Sequence, residues 1–279
     1  MCRFEHATIK LEVKIMKRIL SAVVLLTATS MANAVPVDLS SWSPLTLNFP
    51  GGQPAGNWVL GGGNTEVTQT INADPSFFLN NLNQTSYEID GSWQVLTGSD
   101  DDFMGFVFGY QNSSNFYLFD WKQNTQNNVY DGSDANEGMS IKKYSGATGD
   151  GLTDLSLGAF WENVNAASFA GLDSILATNH GSDKGWVDGR LYDFHLDFNV
   201  NPGEFTIIVT DTVTSGILWD VTVNDSSYTS GQFGFYNYSQ EQVRYAGFEQ
   251  EGGIVVVPEP GILALFGIGI VGLGFLRRK

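Results

Sequence analysis

The chain has 279 residues, 42% of them hydrophobic, 13% aromatic and 16% charged, with 32 Gly and a single Cys. This is the composition of a folded protein, and one Cys excludes a disulfide scaffold. The net charge of −16, from 14 Lys+Arg against 30 Asp+Glu, repels phosphate backbones and argues against nucleic acid as a partner.

The charge is unevenly placed. Arg3, Lys10, Lys14, Lys17, Arg18, Arg277, Arg278 and Lys279 take eight of the 14 basic residues, and Glu5, Glu12 and Glu259 only three of the 30 acidic ones. The body between the ends, residues 35–257, therefore holds six basic and 27 acidic residues, a charge of −21.

In chain order, the first element begins at Met16: MKRILSAVVLLTATSMANA has Lys17 and Arg18 before a short apolar run and a small-x-small ending at Ala32-Asn33-Ala34. This layout predicts a signal peptide over residues 1–34, with its true start at Met16 and residues 1–15 as an upstream extension that contains Cys2. Residues 35–68 read as a Gly-rich, turn-dense entry segment; no Lys and no following helix make it a phosphate loop.

From residue 69 to 252 the pattern is that of half-buried strands. Tyr87, Ile89, Trp93 and Val95 alternate with polar residues, as do Phe194, Leu196, Phe198 and Val200 further on. Strands are also predicted at 205–210, 217–223, 232–238 and 243–248, separated by turns such as Asn201-Pro202-Gly203. Two runs, 103–110 and 116–121, are nearly continuously apolar, as central strands covered on both faces would be. Residues 154–179 are expected to form loops with one short helix, from the spacing of Leu172, Ile175 and Leu176. The serial strands predict one large antiparallel, all-β sandwich.

The final segment, 253–279, has Pro258-Glu259-Pro260, then sixteen apolar or Gly residues at 261–276, then Arg277-Arg278-Lys279. A helix of that length reaches roughly 24 Å, a marginal span of a ~30 Å hydrocarbon core with a cationic stop. Pro-Glu-Pro, an apolar Gly-rich span and terminal arginines in this order resemble the PEP-CTERM sorting signal of Gram-negative bacteria. That resemblance implies recognition of Pro258, Glu259 and Pro260 by an exosortase, transient residence in the inner membrane through 261–276, and delivery to the cell surface or an exopolysaccharide matrix. The alternative is an ordinary tail anchor.

The most informative run is Asp100-Asp101-Asp102 followed by Phe103-Met104-Gly105-Phe106-Val107-Phe108-Gly109-Tyr110-Gln111, a Ser-rich turn, and a Phe116-Tyr117 strand ending in Trp121-Lys122-Gln123. With Asp90-Gly91-Ser92, Gly185-Trp186, Gly234-Phe235 and Ser239-Gln240-Glu241 in order around it, this run closely resembles the thrombospondin C-terminal domain. The resemblance implies a jelly-roll, concanavalin-like β-sandwich similar to legume-type lectins, here flanked by the signal helix and the C-terminal transmembrane helix. It also implies Ca2+ at Asp100, Asp101 and Asp102, whose crowded carboxylates are hard oxygen ligands of the kind calcium prefers; a merely solvated acidic turn is the competing reading. The calcium-binding repeats and the disulfide that accompany this domain in thrombospondins are absent from the chain.

Two other chemistries are open on such a fold. Glu88-Ile89-Asp90 supplies half of the paired carboxylates of a laminarinase-type glycoside hydrolase, but Ser92 and Trp93 stand where the second Glu belongs. A lectin would stack sugars on exposed rings, for which Trp121, Trp186 and Tyr236 are the candidates, although Trp in a large sandwich is more often core. His195, between Asp193 and Asp197 on a polar strand face, is explained without a function. The sequence thus predicts an exported, non-enzymatic, calcium-binding adhesive protein of a surface or matrix, with a lectin or a glycoside hydrolase as alternatives.

Overall fold

The computed structural model describes residues 36–149 and 152–255. The signal segment, the start at Met16, and the sorting residues Pro258, Glu259, Pro260, Arg277 and Arg278 with the span 261–276 lie outside the described residues. Among the described residues, no helix is long and apolar enough to cross a membrane.

The strands are β1 (Ser43–Thr46), β2 (Trp58–Gly61), β3 (Glu66–Gln69), β4 (Ser76–Leu79), β5 (Gln84–Val95), β6 (Phe103–Asn112), β7 (Asn115–Lys122), β8 (Gly138–Ser145), β9 (Thr148–Gly149), β10 (Leu152–Thr153), β11 (Leu172–His180), β12 (Leu191–Asn199), β13 (Glu204–Asp211), β14 (Gly216–Asn224), β15 (Gln232–Tyr238) and β16 (Val243–Val255). A single short α-helix among the described residues, α1, spans Leu157–Trp161. Two seven-stranded antiparallel sheets form, in the orders β1-β4-β15-β6-β7-β8-β11 and β14-β13-β12-β5-β16-β3-β2. This is the predicted all-β jelly-roll sandwich.

The alternation in β5 and β12 does what its period demands. Tyr87, Ile89, Trp93 and Val95 point inward beside Phe194, Leu196 and Phe198, while Glu88 and Asp90 face out. The inter-sheet core is aromatic: Trp93 is fully buried, stacked on Phe194 at 4.7 Å and on Phe119 of the opposite sheet at 5.6 Å. Phe106 joins Phe119 at 4.8 Å and Phe194 at 5.0 Å, tying the sheets together.

β6 and β7 are largely apolar and buried along most of their length because their other face is also covered. The segment carrying α1 folds back over the first sheet, so that Leu155, Phe160 and Trp161 pack on Phe77, Phe103, Phe116, Tyr144, Tyr236 and Tyr238 in a second core. Ser156 caps α1, its Oγ accepting the Ala159 N–H at 3.1 Å, and Lys142 donates to the Phe160 carbonyl at 2.8 Å. Beneath this cover lies a fully buried ion pair, Lys142 to Asp120 at 2.7 Å.

Two expectations change. The helix expected around Leu172, Ile175 and Leu176 is strand β11; two register shifts against β8 insert extra residues, break the two-residue alternation and leave an apparent helical spacing. The helix stands earlier, at α1. The described part of the entry segment, residues 36–68, is built into the sandwich: β2 and β3 pair as a hairpin, and Gly62 and Gly63, with φ of 56° and 71°, make its tight turn. Leu39 and Trp42 from the same segment are core residues, Trp42 stacking on Phe235 at 5.5 Å.

Candidate metal centre at the acidic triplet

Asp100, Asp101 and Asp102 enter β6 from one end of the first sheet, each offering a carboxylate oxygen within 4.8 Å of the other two. Alternation alone would have split them between faces; the irregular backbone before Phe103 brings them together. Each carboxylate has a different environment.

Asp102 is buried and its Oδ1 accepts from Lys122 Nζ at 2.8 Å, while its N–H donates to Gln240 Oε1 at 2.9 Å. Burial pushes the Asp102 carboxyl up and the Lys122 ammonium down, each opposed by the other's charge. The ammonium also sits over the Trp161 ring at 4.4 Å and the Phe103 ring at 5.0 Å. Asp101 is held by amides, Asn124 Nδ2 on Oδ2 and Gln126 Nε2 on Oδ1, both at 3.1 Å.

Asp100 is the least committed. Its Oδ1 accepts the Asp101 N–H at 3.2 Å, whereas its Oδ2 is buried with no hydrogen-bond partner. Burial first, then the neighbouring Asp102 charge, pushes the Asp100 carboxyl up to about 6, against the pull of the Asp101 N–H and of Asn72 and the Glu241 backbone, which approach the carboxyl without reaching hydrogen-bond geometry. Oxygens around one calcium, each ~2.3–2.6 Å from the ion, lie within about 5 Å of one another, so the donor set and its spacing fit the ion. Bound there, calcium would neutralise the two negative charges left after Lys122 is counted, with Asp100, Asp101 and Asp102 as the residues that would hold it.

The residues that support the triplet are not legible in the sequence. Lys122 and Gln240 stood in the motifs quoted above, yet only the fold sets the end of β7 and the segment after β15 against the triplet. The available signal was an acidic triplet followed, 20 residues on, by a Lys at the end of a largely apolar strand.

The candidate stacking residues are corrected. Trp121 and Trp186 are 1% and 3% exposed, and Tyr236 is fully buried. Trp121 packs edge-on against Trp186 and Tyr192, and Tyr236 lies in the second core beside Phe77. As large apolar rings they were drawn into the cores and present no open face for a sugar. Glu88 and Asp90 are exposed on the outer face of the second sheet, where Asp90 bonds His195 Nδ1 at 2.9 Å and Ser92, in the place of a second acid, donates to the Ala246 carbonyl.

Fold and site together define a two-sheet jelly-roll domain with an acidic end. The chain belongs to the thrombospondin C-terminal region family, whose profile matches residues 53–252, and residues 256–279 match the PEP-CTERM protein-sorting motif. Thrombospondin-2 of Gallus gallus is 31% identical over 203 residues, which are 70% of this chain and 16% of that protein. Cartilage oligomeric matrix protein of Bos taurus is 29% identical over 201 residues, 68% of this chain and 25% of that protein. The chain thus spans a quarter or less of these relatives. Among solved structures, the carbohydrate-binding module CBM66 from Bacillus subtilis has a TM-score of 0.47 at 12% identity, covering 79% of this chain and 98% of its own. A legume lectin-like domain from Entamoeba histolytica has a TM-score of 0.45 at 10% identity, with 78% and 94% covered.

Proposed function

We propose that the protein is an exported, exosortase-sorted component of the cell surface or exopolysaccharide matrix, whose thrombospondin-C-like domain binds calcium and serves as a non-enzymatic adhesive module. The sorting motif supports the route: exosortase acts near Pro258-Glu259-Pro260 after the segment 261–276 has held the chain at the inner membrane, with Arg277 and Arg278 on the cytoplasmic side. The body charge of −21 suits divalent cations and surface display.

The observation that carries the calcium reading is the unpartnered, buried Oδ2 of Asp100 beside two further carboxylates. An oxygen desolvated without a donor costs stability unless a cation or proton meets it. The body's partners are exopolysaccharide or other surface proteins. The enzyme alternative is weaker, because Ser92 occupies the position of the second catalytic acid and is engaged in a backbone hydrogen bond.

Thermal unfolding of the purified full-length protein tests the calcium reading: Ca2+ raises Tm for the wild type and not for Asp100→Asn/Asp101→Asn/Asp102→Asn. An equal shift in both removes the triplet from the site. Mass spectrometry of protein from its native host tests the sorting; an intact C-terminal Lys279 on surface-displayed protein contradicts it.

A further inference from the structure

The sandwich has a cavity of about 240 Å³ at the edge where the ends of β7, β11 and β13 and the start of β14 meet the 181–190 loop. We infer that this cavity binds a single neutral sugar ring. None of the residues lining the cavity belongs to the acidic triplet or bonds to it.

The volume falls below the ~300 Å³ from which drug-sized pockets begin and leaves room for one small ring within the walls. Its walls carry both kinds of surface that a pyranose offers. Val187, Ile217 and Leu218 form an apolar side suited to the ring's C–H face, and Asn179, Asp183, Lys184 and Arg190 supply hydrogen-bonding groups for hydroxyls. Asn179 Nδ2 donates to the Leu218 carbonyl at 3.0 Å, which leaves its Oδ1 as an acceptor, and the Arg190 fork carries N–H donors beyond the one given to Asp211.

Charge decides between neutral and acidic sugars. The body has six cations. Lys122 and Lys142 are buried in carboxylate pairs, Lys143 is paired with Asp173 and Asp225, and Arg244 is bonded to Gln94. The other two, Lys184 and Arg190, both line this cavity, and each is matched by an acid: Asp183 at 3.6 Å and Asp211 at 2.8 Å. The cavity is therefore locally neutral in a body of −21, a setting that disfavours an added carboxylate and leaves donors and acceptors for hydroxyl groups.

The walls are also held in place before any ligand arrives. Trp121 Nε1 donates to the Lys184 carbonyl at 2.6 Å, the Val187 N–H to the Tyr192 hydroxyl at 2.8 Å, and Gln123 Nε2 to the Trp186 carbonyl at 3.1 Å. Preorganised walls lower the ordering cost of binding. The rim supplies a separate sign of use: Val187 is 48%, Ile217 63% and Leu218 37% exposed, a concentration of apolar surface that marks interaction sites. The buried Trp121 and Tyr192 back the cavity and give it an indole reporter.

The test is saturation-transfer NMR on the full-length protein with the methyl glycosides of glucose, mannose, galactose and N-acetylglucosamine, and with glucuronate as the charged comparator, each in calcium and in EDTA. At least one neutral glycoside is expected to receive saturation in both conditions, with affinity weakened about tenfold or more, the worth of one charge-assisted hydrogen bond, by Arg190→Gln. The exposed-rim variant Ile217→Asp, which leaves the ion pair intact, is expected to weaken it as well, and Asp100→Asn/Asp101→Asn/Asp102→Asn to leave it unchanged. No transfer to any neutral glycoside, a stronger response to glucuronate, or affinity unaltered in Ile217→Asp would each overturn the inference. Binding that needs calcium and disappears in the triplet variant would place the sugar at the acidic triplet and overturn it too.

Discussion

Lys122 Nζ lies 2.8 Å from Asp102 Oδ1, with the lysine side chain fully buried and the carboxylate nearly so. The pair sits at the end of the β6–β7 ladder, where Phe103 is in register with Lys122, and gives one of the three crowded aspartates a fixed counter-charge. What remains to be neutralised is carried by Asp100 and Asp101. The motif at the start of β6 thus combines a structural ion pair with two further carboxylates beside it.

Breaking that pair leaves a buried charge alone. Lys122→Met is expected to destabilise the protein by about 3–5 kcal/mol in urea unfolding, and the double variant Lys122→Met/Asp102→Leu to recover much of the loss, because a matched apolar pair needs no desolvated charge. Equal losses in the single and double variants would show that packing, and not the uncompensated carboxylate, sets the cost.

Asp100 gives a pH signature. Its folded-state value of about 6 lies above the ordinary carboxylate range, so its contribution to stability is fully present below about pH 4 and is lost as pH rises through 6. On the proposed reading calcium would compete with the proton for this carboxylate, so its affinity is expected to rise from pH 5 to 7 and stability at pH 7 to depend on the ion. Comparing wild type with Asp100→Asn in calcium-free buffer isolates the group: the wild type should lose stability relative to the variant between pH 4 and 6. Parallel profiles would contradict the assignment.

Asp225 has the opposite sign. Burial pushes it up, but hydrogen bonds from Ser227, from the Tyr117 hydroxyl at 2.5 Å and from Lys143 at 2.9 Å outweigh this and hold it at about 2. The stability it contributes is present above pH 4 and lost as pH falls toward 2. Asp225→Asn should therefore lower the urea midpoint at pH 7 and converge with the wild type near pH 2, measured by tryptophan fluorescence.

The inter-sheet core rests on Trp93. Trp93→Ala should cost about 3–5 kcal/mol, since the ring is fully buried between Phe194 and Phe119 and the sheets cannot close the space. Thermal unfolding measures the loss, and Glu88→Ala on the outer face of the same strand is the near-neutral control.

The alternation of Tyr87, Ile89 and Trp93 and of Phe194, Leu196 and Phe198 made β5 and β12 legible, because one wet and one dry face imprint a period of two. β8 was not legible: Lys142 and Lys143 interrupt its apolar pattern, and only the fold reveals that Lys142 is buried on Asp120. β11 was hidden by its bulges and β1 to β3 by the glycines of their turns. Asp100, Asp101 and Asp102 were visible as a triplet, while their partners Lys122 and Gln240, 20 and 138 residues away, are brought to Asp102 by tertiary structure alone. Trp121, Trp186 and Tyr236 were misread because residue type does not tell a buried ring from an exposed one.

Isothermal titration of calcium into the full-length wild type, Asp100→Asn and Asp100→Asn/Asp101→Asn/Asp102→Asn at pH 7 tests the central claim most directly. Saturable binding in the wild type, weakened in the single variant and absent from the triple variant, is the predicted result. Absence of binding in the wild type, or the same affinity in all three, would contradict it.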